Sequence, residues 1–192
     1  MAEKDEKTKK SETSQVWSFK GRFAEYMREL LGGGDDYKKI FDEIYHGYAF
    51  CAIYGLLKGR RHVYDAKVDN PSDSSFIIAF RWAYAANKGI FSYGNVRKLV
   101  LLYSKRDEES FDSKIDSALR FDYSSEDTKD PVLLEKSQYK KNSDLIDEYV
   151  LGGLELLHQK IDEISSREAM IVFMKETLEE IQGLMKLETD DN

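Results

Sequence analysis

At 192 residues, 41% of them apolar, the chain is long enough to bury a core of its own without a disulfide or a metal staple. A single cysteine, Cys51, excludes an intrachain disulfide, and no apolar run approaches the ~20 residues that a membrane span requires. The net charge of −7 is unevenly placed: Tyr45–Arg106 carries ten Lys or Arg against three acids, whereas Asp107–Asn192 is −13. Such a split hints at a polyanionic partner.

The chain opens on a polar stretch with no apolar residue between Ala2 and Val16, so 1–15 is expected to be a disordered tail. It has no signal-peptide core, and a cytoplasmic protein is expected. Helical spacing begins at Trp17 and continues through Phe23, Met27, Leu30 and Leu31, until Gly32-Gly33-Gly34 stops it. A second helix is predicted over Tyr37–Leu57, where Ile40, Phe41, Ile44, Tyr48, Cys51, Ala52 and Gly55 line one stripe. Lys58–Asp73 reads as a loop, with a short strand through Val63, Tyr64, Ala66 and Val68.

From Ser72 or Asp73 to Asn87 the chain is apolar on nearly all sides, the mark of the central helix of a bundle. A fourth helix is expected over Asn95–Ser104 and a short one around Phe111, Ile115, Ala118 and Leu119. The span 107–140 otherwise reads as a mobile excursion. A strong helix opens at Asn142 or Ser143, and Ser165-Ser166 separates it from a last amphipathic helix through Met170, Phe173, Met174, Leu178 and Ile181. Two long helices joined this tightly predict an antiparallel pair. The whole reads as all-α: one compact domain over 16–192 with about six or seven helices.

Catalytic patterns are scarce. Three histidines, His46, His62 and His158, form no HExxH, and no CxxC exists, so neither a metal nor a cofactor is expected. Glu155-Leu156-Leu157-His158 matches the di-metal bundle spacing once, without a second such helix. Gly152-Gly153 interrupts a strong helix, which close helix approach or a pocket-forming kink would explain. Cys51 lies in apolar Phe50-Cys51-Ala52-Ile53 and reads as a small core residue.

The basic middle gives the candidate anion-binding or nucleic-acid-binding set: Lys58, Arg60, Arg61, His62 and Lys67 in one loop, then Arg97, Lys98, Lys105 and Arg106 at the fourth helix. Such side chains suit phosphates, and nearby aromatics suit unpaired bases. The bland counter-reading is that these bases pack against the protein's own acidic third, in line with a pI of about 5.1.

Two segments resemble a known family. Tyr37–Arg61 (YKKIFDEIYHGYAFCAIYGLLKGRR) and Leu145–Leu157 (LIDEYVLGGLELL) are similar to motifs of the small Dnd system-associated proteins, which are encoded beside bacterial DNA phosphorothioation genes. The resemblance covers about 38 of 192 residues. It implies an accessory role in DNA modification or anti-phage defence, with no catalytic residues to carry over. One cysteine is no iron–sulfur ligand set. The expected function is therefore a non-catalytic accessory protein that docks a protein partner, self-associates through its last helix, or touches DNA. A nucleic-acid-binding module and a small enzyme are the alternatives.

Overall fold

The computed structural model describes residues 16–70, 77–81, 93–104, 110–119 and 136–190. Their architecture is all-α, with seven α-helices and one two-stranded ribbon among the described residues. In chain order these are β1 (Val16–Phe19), α1 (Gly21–Arg28), α2 (Ile44–Leu57), α3 (Ala66–Asp69), β2 (Ile78–Arg81), α4 (Tyr93–Tyr103), α5 (Phe111–Leu119), α6 (Lys136–Asp162) and α7 (Arg167–Asp190). A π-helical segment Glu29–Gly33 continues α1, and a 3-10 turn Asp36–Lys38 follows it.

α2 and α6 form the centre. α2 buries Tyr45, Tyr48, Ala49, Cys51, Ala52 and Tyr54, residues on several sides of the helix. α6 buries Ile146, Val150, Leu154, Leu157 and Ile161 at spacings of three and four. Glycines let the two backbones touch. A Cβ on Gly55 would collide with the Tyr149 carbonyl, and one on Gly153 with the Cys51 carbonyl. Close approach is thus what compensates the helical cost of Gly152-Gly153, roughly 1 kcal/mol each relative to alanine.

The ribbon corrects two expectations. Trp17 begins no helix; it lies in β1, antiparallel to β2 with Trp17 opposite Phe80 and Phe19 opposite Ile78. The third, central helix expected over 72–87 is likewise a strand at Ile78–Arg81, while 72–76 and 82–87 lie outside the described residues. A short apolar run has no period that separates strand from buried helix, and here packing decides. Trp17 meets Phe19, Tyr48 and Phe80 with ring centroids 4.4, 4.9 and 5.7 Å apart.

The second helix also starts later than its spacing predicts. Ile40 and Phe41 leave the helical path because both backbone N–H groups donate to the Leu30 carbonyl, each at 2.9 Å. The strand expected through Val63–Val68 is instead a loop and the short helix α3. There the Asp65 side chain caps by accepting from Lys67 N at 2.9 Å, leaving Val63 and Val68 exposed.

α4, α5 and the break between α6 and α7 fall where periodicity placed them, and Ser166 Oγ caps α7 by accepting from Ala169 N at 3.2 Å. α7 returns onto the Asp36–Lys38 turn and α2, and it meets the end of α6 through Lys160. The Lys160 ammonium lies 3.8 Å from Glu180 and 5.8 Å from the Phe173 ring centroid. The 1–15 tail and the polar loop 120–135 lie outside the described residues. No described helix is long and apolar enough to cross a membrane.

Candidate functional site

α2 ends at Leu57, Lys58 caps it, and Gly59, at φ 60°, turns the chain back so that Arg60 N donates to Gly55 O at 2.8 Å. The returning loop then lies directly on α6. Gly152 permits this, since a Cβ there would strike the Arg60 carbonyl, and His62 N donates to Glu148 O at 2.9 Å. The basic loop is thereby pressed along an acidic helix.

Five ionisable side chains converge at this seam. Arg22 of α1 donates from Nε to Asp69 Oδ1 (2.8 Å) and from Nη2 to Glu155 Oε1 (3.1 Å). Arg60 Nη2 donates to Glu155 Oε2 at 2.9 Å. The His62 ring lies between the two acids, with Nε2 3.0 Å from Asp69 Oδ2 and Nδ1 3.8 Å from Glu155 Oε2. Asp65 N also donates to Asp69 Oδ2, at 2.8 Å. All four carboxylate oxygens are engaged, so the cluster ties α1, α3 and α6 together. Burial alone would raise the Asp69 carboxyl, but the His62 and Asp65 hydrogen bonds and the His62 and Arg22 charges overcome it and hold it below its ordinary range.

The other bases of the loop are paired in the same way. Arg61 grips Glu148, with Nε at 2.7 Å, and Lys58 contacts Glu180. Lys67 is exposed. Arg97 is not at the surface: it is 0% exposed in α4, its guanidinium carbon 4.8 Å from the Tyr139 ring centroid. Lys98 is half-buried, and Lys105 and Arg106 lie outside the described residues. Arg97 reaches α6 at Ser143, twelve residues before Glu155, so the two basic groups meet α6 about 18 Å apart along its axis.

The remaining histidine spacing dissolves into separate contacts. His158 stacks on Tyr26 at 3.6 Å and pairs with Glu29 Oε2 at 3.1 Å, while Glu155 serves the arginines. Among the described residues no group of three or more His, Cys, Asp or Glu is arranged to hold a metal ion. Cys51 is fully buried, which pushes its thiol up. Asp147 of α6 accepts from Tyr48 Oη at 3.2 Å and from Trp17; burial nevertheless pushes its carboxyl up to about 7.

A different surface offers room for a ligand. Between the Asp36–Ile40 turn and α7 runs an open groove of about 1010 Å³, floored by Ile40, Met170, Ile171, Met174 and Leu178. Ile171 is 62% and Leu178 49% exposed. Charged residues rim it: Lys39, Arg167 and Lys175 against Asp36 and Glu179.

Comparison of the chain with protein-family models, with curated proteins and with solved structures finds no match. Sequence reasoning missed Arg22, Asp69 and Glu148 as members of the charged seam. Arg22 is 47 residues from Asp69 and 133 from Glu155, and no local pattern announces such a pairing.

Proposed function

We propose that this is a non-catalytic, cytoplasmic docking protein that receives an amphipathic helix of a protein partner, in the service of a bacterial DNA-modification or anti-phage defence system. The groove on α7 carries the docking half of this reading. Exposed Ile171 and Leu178 continue an apolar floor, Met170 to Leu178, that spans about two helical turns, the length over which helix-in-groove recognition places i, i+3, i+4 and i+7 anchors. The rim is charged in both signs, with Lys39 paired to Asp42 at 2.9 Å and Lys175 to Glu179 at 3.8 Å. The biological setting rests on the resemblance carried by Tyr37–Arg61 and Leu145–Leu157.

Direct nucleic-acid binding is the weaker reading. Lys58, Arg60 and Arg61 would each have to leave a carboxylate of their own chain before meeting a phosphate.

Titration of the full chain against each protein encoded beside it tests the proposal. Binding to one of them is expected, weakened by about tenfold or more in an Ile171→Asp/Leu178→Asp variant with an unchanged circular-dichroism melt. Unchanged affinity in that variant, or no binding to any neighbour, overturns it. Sedimentation of the chain alone reads a second copy as the occupant. DNA binding whose log K falls with log salt by about 0.9 per phosphate contact would favour the alternative.

A further inference from the structure

The ribbon meets the body at a place that titrates. Two paired strands of four residues are marginal by themselves, so this ribbon depends on its seat against α2 and α6. Trp17, Phe19, Ile78 and Phe80 share its inner face, and Val16, Ser18, Ala79 and Arg81 share the outer one. The Tyr48 ring of α2 receives two of the inner rings, with centroids 4.9 Å from Trp17 and 5.6 Å from Phe80. Its hydroxyl donates to Asp147 Oδ1 of α6 at 3.2 Å, and the Trp17 side chain donates to the same carboxyl. Ribbon, α2 and α6 thus share one acidic group.

Burial in this seat opposes ionisation of Asp147, and its two donors, both neutral, do not offset that. The charges of Asp144 and Glu148, also on α6, oppose it further. Glu148 is gripped by Arg61 of the basic loop, and Arg81 of β2, opposite Val16, is exposed on the outer face. A carboxyl so placed keeps its proton while the seat is closed and ionises at its ordinary value once the ribbon parts from it. The chain just beyond β1 does not move with the ribbon. Gly21 turns it at φ 52°, a Cβ there would strike the Asp69 carbonyl, and Arg22 is bound to Asp69 at 2.8 Å. Gly21 is therefore a fixed end from which β1 can lift.

We propose that Asp147 is a proton-operated clasp: protonated, it holds the β1–β2 ribbon on the α2–α6 crossing, and its ionisation lets the ribbon lift from Gly21 and uncover Trp17, Phe19 and Phe80. The opening is local and leaves the crossing in place. With the closed carboxyl at about 7 and the open one at its ordinary 3.8, opening releases one proton across the interval between. The ribbon is therefore open more often at neutral pH than at pH 5.

Hydrogen exchange of the full chain, read by mass spectrometry on peptides covering Val16–Phe19 and Ile78–Arg81, tests the clasp. After correction for intrinsic rates, ribbon exchange should rise about tenfold per pH unit from about pH 5 to 6.5 and level off above 7. Urea below the unfolding transition should leave ribbon exchange unchanged while accelerating that of α2, which opens only with the whole fold. Asp147→Asn, which keeps an acceptor and cannot ionise, should flatten the pH slope. A wild-type ribbon that exchanges no faster than α2, that is as sensitive to urea, or whose corrected exchange is level with pH overturns the proposal, whether or not the variant folds. So does an equal slope in wild type and Asp147→Asn.

Discussion

Asp69 and Asp147 lie in the same fold, and their surroundings push them in opposite directions. Asp69 is desolvated, yet the His62 and Asp65 hydrogen bonds and the Arg22 charge more than offset that and lower it. Its stabilising contribution is present above the unfolded carboxylate range and is lost as pH falls through its lowered folded value. Asp147 has two neutral donors, Trp17 and Tyr48, but burial, aided by the nearby Asp144 and Glu148 charges, outweighs them and its carboxyl moves from 3.8 to about 7. Here the native state binds the extra proton between those values. Stability from this group is therefore fully present below 3.8 and declines as pH rises to about 7. Urea titration of Asp147→Asn should show a flatter stability profile than wild type from pH 4 to 7. At pH 7.5 the variant should regain up to about 4 kcal/mol relative to its own difference at pH 4. Parallel profiles would mean that the carboxyl is not held out of water.

Among the elements, the α2–α6 crossing is the joint on which the rest depends. Gly153→Ala drives a methyl into the Cys51 carbonyl, a backbone atom that yields only if the helices part, so a loss of about 3 kcal/mol is expected in urea unfolding. Gly183→Ala in α7 is the matched control. A Cβ there meets nothing within 4 Å, and the same substitution should stabilise by about 0.5–1 kcal/mol. Helices α4, α5 and α7 and the body of α6 were legible in the sequence because their apolar residues recur at helical spacing and polar breaks such as Ser166 end them, but α6 opens at Lys136, six or seven residues before the Asn142 or Ser143 expected and inside the span 107–140 read as an excursion. The ribbon was not, because Phe76–Phe80 is apolar without a period and its pairing partner lies some 60 residues earlier, at Val16–Phe19. For the same reason the basic loop was visible but its partners were not: Gly152 flagged a close approach without saying that Arg60 was what approached.

On the scale of the whole molecule, the charge split resolves into an internal contact between the basic loop and the acidic C-terminal third. Glu148 and Glu180 occupy Arg61 and Lys58, and Glu155 occupies Arg60 and Arg22. Neutralising the two more exposed seams should release the bases. Glu148→Gln/Glu180→Gln should bind duplex DNA more tightly than wild type at low salt, with a log K against log salt slope steeper by about 0.9 for each freed cation that finds a phosphate. An unchanged slope in filter binding would show that the freed side chains do not reach a common surface.

The crossing of α2 on α6 also has a consequence in time. Gly55 and Gly153 touch across 98 residues of chain, and at roughly 5–20 residues per second a ribosome takes about 5–20 s to make the second after the first. Throughout that interval α2, with buried residues on several of its sides, has emerged before the helix that covers it. The nascent chain thus carries an uncovered apolar helix for seconds, long enough to make it a client of whatever holds unfinished chains at the ribosome.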